Sequence, residues 1–123
     1  MTRVALALTA LVTVSACSSA TAGSGSARPD RDLITREEIA SVPVTSAYEA
    51  VERLRPEFLR PARGGGTPNV YINNSRSGGL EILRSIRADN IQTIRYVNAL
   101  DANLRYGMGN DSGVIAVELL RQP

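Results

Sequence analysis

The sequence predicts an α+β domain, a small mixed β-sheet of about four strands packed with two helices. Three observations carry this. Runs rich in β-branched, aliphatic and aromatic residues stand at 70–72, 91–97 and 113–120, short enough and alternating enough to be strands. Apolar residues recur at helical spacing through Ala47, Ala50, Val51 and Leu54. A second helix-like stretch, 98–106, joins the last strand through a corner rich in glycine, with Gly107, Gly109 and Gly113.

The elements follow in order. Leu33 and Ile34 are strand-like, and Thr35 followed three residues later by Glu38 has the pattern of a helix capping box. Glu37 and Glu38 suit the positive end of that short helix, which Pro43 closes. Thr45 or Ser46 caps the next helix, which places Glu49, Glu52 and Arg53 outside and stops at Pro56. Phe58 and Leu59 are expected to begin a short extended piece, and 60–69 is a loop by its glycines and prolines. The strand at 70–72 leads into a turn, "NNSRSGG", and 80–91 is a compact helical or turn segment. In 91–97, Ile94 and Tyr96 share one face and Arg95 takes the other. Leu100 and Leu104 lie four apart in the second helix, and Ile115, Val117 and Leu119 face away from Glu118 in the last strand.

The glycine corner raises the question of a phosphate site. A phosphate loop runs from strand through glycines to helix, so that free amides and the positive helix end meet the anion. Here the order is helix, glycines, strand, which turns the loop toward the negative helix end. The expectation is a turn: Gly107 caps the helix, and Gly109 and Gly113 let the chain reverse.

The first residues have a different character. Arg3 precedes an uncharged apolar run from Val4 to Val14, followed by small residues and Cys17. Residues 1–16 therefore read as a secretory signal, with an apolar run shorter than the roughly 20 residues that span a bilayer. Val14-Ser15-Ala16-Cys17 resembles a bacterial lipobox, which makes Cys17 the lipidation site. It is the sole cysteine and has no partner for an intramolecular disulfide. Acyl chains on Cys17 give stable attachment to a membrane, and Ser18 in place of aspartate favours the outer membrane of a diderm bacterium. Residues 17–31 then form the lipidated cysteine and a tether of Ser, Gly and Ala, and 32–122 the folded domain.

Composition excludes several classes of function. All fourteen basic residues are arginine, against twelve carboxylates and no histidine. Charge this balanced gives no broad basic field for nucleic acid, and four tyrosines and one phenylalanine make a poor stacking platform. Without histidine and with Cys17 acylated, zinc sites and Ser-His-Asp catalysis lack their parts. No cofactor is expected.

The stretch "ADNIQTIRYVNALDANLRYGMGNDSGVIAVELL" is similar to the closing motif of the plug domain of TonB-dependent outer-membrane receptors, with Tyr106, Gly107, Gly113, Val114, Ile115 and Val117 at the matching places. "DLITREEIASVPVTSAYEAVERLRPEF" resembles the opening strand and helix of that domain, and "PNVYINNSRSGGLEILRSI" its central strand and turn. The resemblance spans about 32–121. The chain departs from the family at Asn73-Asn74, where Asp-Gly is common, and at Arg95, where an acidic residue is usual. No TonB box stands in the tether, and no barrel sequence follows the domain. The resemblance thus implies a free-standing plug-like domain and no transport role of its own.

Its exposed turns are then the natural contact surface: "RGGG" with Arg63, "NNSR" with Asn73, Asn74 and Arg76, and "GMGND" with Asn110 and Asp111. The expected partner is an outer-membrane barrel or another envelope protein, and the alternative is a small ligand or glycan. Substitution of Arg76 or Asn110 is expected to weaken binding without unfolding, and substitution of Gly113 or Ile115 to unfold. Arg53, Arg55, Arg60 and Arg63 cluster in sequence, but Glu52 and Glu57 compensate them into a solvated surface. Asp101, Asp111 and Glu118 are the carboxylates near the glycine turn that an acid pair or calcium site would need to bring together. Asn73 and Asn110 each begin a glycosylation sequon and read as plain turn residues.

Overall fold

A computed structural model describes residues 30–122. The signal sequence, Cys17 and the tether as far as residue 29 lie outside the described residues. The elements are β1 (Leu33–Thr35), α1 (Arg36–Ala40), α2 (Ala47–Leu54), β2 (Asn69–Ile72), β3 (Ser75–Gly78), β4 (Ile91–Val97), α3 (Ala99–Tyr106) and β5 (Val114–Leu119). Single 3₁₀ turns cover Pro56–Leu59, Leu80–Arg84 and Ala88–Asn90. The strands make one mixed sheet in the order β1-β4-β5-β2-β3. Only β5 and β2 pair in parallel; β1 with β4, β4 with β5 and β2 with β3 are antiparallel. The fold is therefore α+β, as expected, with one strand and one helix more than anticipated.

The helix ends form where local chemistry places them. The Thr35 hydroxyl accepts from the Glu38 amide at 3.3 Å, and the Thr35 amide donates to the Glu38 carboxylate at 2.9 Å, the reciprocal bonds of a capping box. Ser46 caps α2 by accepting from the Glu49 amide at 3.3 Å. Thr45, the other cap candidate, instead donates its own amide to Glu49 at 2.8 Å. Asn98 caps α3 through the Asp101 amide at 3.0 Å. At the far end of α3, Gly107 has φ +93°, a conformation only glycine adopts without strain.

Two hydrophobic clusters sandwich the sheet. The larger lies under α1, α2 and the 3₁₀ turns, where Ile34, Val51, Phe58, Leu83, Ile94 and Ile115 pack together. The smaller lies under α3 and joins Tyr71, Val97, Ala102 and Val114. In β5 the alternation divides as anticipated, Ile115 and Val117 toward the first cluster and Val114 toward the second. In β4, Ile94 and Tyr96 share the first face, and a register shift between Ile91 and Thr93 turns Ile91 to that face as well.

Two local expectations differ from the structure. Phe58 and Leu59 belong to a 3₁₀ turn with Pro56 at its start, because proline's fixed φ suits a first helical turn. That turn inserts Phe58 beside Tyr96, ring centroids 5.4 Å apart. "SRSG", read as part of a turn, is the edge strand β3. Its hairpin is closed by Asn73 and Asn74, φ +47° and +68°, the pair of positive φ angles a type I′ turn requires. A further feature concerns the face that α3 buries. Its buried residue is Ala102, while Leu100 and Leu104 are 72% and 79% exposed.

Candidate functional site

The turns expected to form a contact face fall at two ends of the sheet. Because β2 and β5 run parallel with Asn69 opposite Val114, the start of β2 stands beside the turn that enters β5. The loop before β2 folds back on itself, Ala62 donating to the Gly66 carbonyl at 2.8 Å and Gly65 to the Ala62 carbonyl at 2.8 Å. This leaves Arg63, Gly64 and Gly65 exposed. Gly66 lies against Ser112, so close that a Cβ at Gly66 would collide with the Ser112 hydroxyl. The Arg63 loop and the 107–113 turn are therefore neighbours.

A chain of side-chain amides organises this end. Asn69 donates to the Asn110 side-chain oxygen at 2.9 Å and to the Gly109 carbonyl at 3.1 Å. Arg76, from β3, donates to the Asn69 oxygen at 3.2 Å. Asn110 donates through its own amide group to the Gly107 carbonyl at 2.9 Å and the Tyr71 hydroxyl at 3.4 Å. Its backbone N–H donates to Asn103 at 3.0 Å, and Asn103 donates to the Asp111 carboxylate at 3.0 Å. Tyr71 lies against Tyr106 with centroids 4.4 Å apart.

Asn110, expected on an exposed turn, is 1% exposed. It is the buried centre of this network and belongs to the framework. The physical reason is the tight turn. Positive φ at Gly107 and Gly109 folds 107–113 over its own asparagine, which then donates to the buried Tyr71 hydroxyl and to the Gly107 carbonyl. Arg76, Asp111 and the Arg63 loop remain exposed at the margin, and together they present two guanidinium groups and a carboxylate to solvent. Asn69, Tyr71 and Asn103 are the members that sequence reasoning missed. The asparagine at the very start of the strand beside the glycine turn was the available signal.

Asn73 and Asn74 lie at the opposite end of β2. The Asn73 oxygen accepts from the Leu119 amide at 3.0 Å, and both residues line a cavity of about 370 Å³ with Glu118, Leu119, Leu120 and Arg121. The structure thus groups Arg63, Arg76, Asn110 and Asp111 at one end and separates Asn73 and Asn74 from them.

The other sequence candidates are dispersed. Asp101 accepts from the Asn98 amide group at 2.8 Å, Asp111 from Asn103, and Glu118 faces the Thr93 hydroxyl at 3.5 Å. Among the described residues no group of three His, Cys, Asp or Glu is placed to hold a metal. Of the arginine run, Arg55 is committed to structure, paired with Glu38 at 2.8 Å and donating to the Leu54 carbonyl. The shifted carboxylates lie elsewhere. Asp89 is held below its usual range by hydrogen bonds from Arg87, Glu49 chiefly by the Thr45 amide, and Glu37 and Glu81 chiefly by their own backbone amides. Among the described residues no helix is long and apolar enough to cross a membrane.

This end of the sheet offers directional hydrogen bonds and exposed charge on a rigid support, an arrangement suited to recognition. No protein-family model, curated protein or solved structure matches the chain.

Proposed function

We propose that this protein is an outer-membrane-anchored lipoprotein whose plug-like domain is a non-enzymatic binding module of the cell envelope. The observation that carries the reading is the sequence at Val14–Cys17, a lipobox-like ending one signal length from Met1 on the chain's sole cysteine. The domain supports it through the order of its second half. A strand, a helix ending Tyr106-Gly107, a glycine turn and the strand Val114–Leu119 follow one another, in the order the plug resemblance implies. The contact face is the end of the sheet carrying Arg63, Arg76 and Asp111, and its partner is an outer-membrane barrel or another envelope protein.

A second reading, small-ligand or glycan binding, draws on the cavity beside Asn73 and Asn74. Glu118 and Arg121 add charged donors and acceptors to those amides, a lining suited to hydroxyl-rich ligands.

Affinity recovery from crosslinked envelopes tests the first reading. The tagged full-length chain is expected to enrich one envelope protein, and Arg63→Ala with Arg76→Ala to lose it. Recovery of the lipoprotein alone, together with a thermal shift on adding oligosaccharide that Asn74→Ala abolishes, would replace the first reading with the second.

A further inference from the structure

The outward face of α3 carries apolar side chains that nothing among the described residues covers. Leu100, Leu104 and Met108 are 72%, 79% and 88% exposed. Leu100 and Leu104 lie four apart on one helical face, opposite Ala102, which faces the sheet, and Met108 is a third exposed apolar side chain just past the Gly107 cap. Single exposed apolar residues are ordinary; three within nine residues at one helix make a patch.

The place where the chain enters the domain lies beside this ridge. Asp30 pairs with Arg95 at 3.4 Å, and the Asp32 carbonyl accepts from the Tyr96 amide at 2.8 Å. Asp32 lines a cleft with Arg95, Asn98, Asp101 and Arg105, the last two on the flank of α3 itself. Residues 18–29 separate this entry from Cys17. Even fully extended, that stretch reaches at most about 45 Å. A lipid on Cys17 therefore keeps the domain within that reach of the bilayer, with the chain entering on the α3 side.

We propose that the Leu100–Leu104–Met108 ridge is a membrane-docking face, seating α3 at the headgroup–acyl boundary of the leaflet that holds the Cys17 lipid. The proposal rests on the lipoprotein reading above. Asp101 and Arg105 on the flank offset each other, so attachment draws on apolar area and on the anchor's confinement rather than on anionic lipid. The docked pose turns α1 and α2 away from the membrane. It leaves Arg63, Arg76 and Asp111 at the margin, where a neighbouring membrane protein would be met.

The test uses the lipidated chain, in which acylation of Cys17 leaves an introduced cysteine as the sole free thiol. Leu104→Cys and, on the opposite layer, Glu52→Cys each carry an environment-sensitive dye in vesicles of phosphatidylethanolamine and phosphatidylglycerol containing nitroxide-labelled lipid. Mass spectrometry of Cys17 is run on the same samples. The expected result is several-fold stronger quenching at 104 than at 52, reduced to the level of 52 by Leu100→Ser with Met108→Ser. These side chains lie outside the core, so the variants should melt with the wild type. Equal quenching at both sites with Cys17 acylated overturns the docking face and leaves the anchor standing. An unacylated Cys17 overturns the anchor reading and the proposal with it. A dye at 104 that is shielded in native envelopes but unquenched in lipid vesicles assigns the ridge to a protein partner and overturns membrane docking.

Discussion

Asn69 donates its side-chain amide to the side-chain oxygen of Asn110 at 2.9 Å, joining the start of β2 to the turn that enters β5 across 41 positions of sequence. A parallel pair has no hairpin to fix its register, and this bond helps to set it. It also identifies Asn110 as framework and leaves Arg76, which touches the same Asn69, as the exposed end of the network.

Asn110→Ala should lower stability by roughly 2–3 kcal/mol, because it strands a buried Tyr71 hydroxyl, the Gly107 carbonyl and one donor of Asn69. Arg76→Ala should stay within about 0.5 kcal/mol, as an exposed surface change. Urea unfolding of the two variants checks the contrast.

Two glycines of the same turn should behave differently. At Gly113, φ is +86°, and a Cβ would meet the Tyr96 hydroxyl at 2.7 Å and the Val97 carbonyl at 2.8 Å. Gly113→Ala combines backbone strain with overpacking and should cost about 3 kcal/mol. Gly107 has φ +93° and ψ 176°, backbone that essentially only glycine adopts, but nothing lies within 4 Å of a Cβ there, so Gly107→Ala should cost less, about 2 kcal/mol. Thermal melts that ranked them in the reverse order would contradict the packing around Tyr96.

Glu38 serves two partners, the Thr35 amide at 2.9 Å and the Arg55 guanidinium at 2.8 Å. Thr35→Ala removes one cap acceptor and should cost about 1 kcal/mol. Glu38→Ala removes the reciprocal cap bond and leaves the partly buried Arg55 without its carboxylate, and should cost about 2 kcal/mol. Chemical denaturation of both variants and the double variant should show non-additive losses.

Acid should weaken the fold. Asp89 and Glu49 are held below the ordinary carboxylate range by Arg87 and by the Thr45 amide. The folded chain therefore binds fewer protons than the unfolded one in mildly acid solution. The stability these groups add is fully present above their unfolded values, near pH 4, and is lost as pH falls through the folded values. Unfolding midpoints across this range should decline on acidification, and less steeply in Glu49→Gln.

Much of this architecture was legible because its signals are local. Thr35 and Glu38 announce a capping box within four residues, and the alternation of Ile115 and Val117 announces a half-buried strand. The direction of α3 was not legible in the same way. Leu100 and Leu104 look like a core stripe, but the helix approaches the sheet through Ala102 beside the tilted Tyr71 and Tyr106 rings. β3 has no apolar pattern to read, since "SRSG" is an edge strand held by the hairpin at Asn73-Asn74. At the candidate site, Arg63, Arg76 and Asp111 were legible as exposed turn residues. The burial of Asn110 depends on Asn69 and Tyr71, about 40 residues distant, and no local pattern encodes it.

The division between framework and contact face is tested most directly by measuring two quantities on one Arg76→Ala preparation, its melting temperature and its recovery of the crosslinked envelope partner. The account predicts a melting temperature within about 4 °C of the wild type together with loss of the partner. A variant that melts early, or that retains the partner in full, would contradict it.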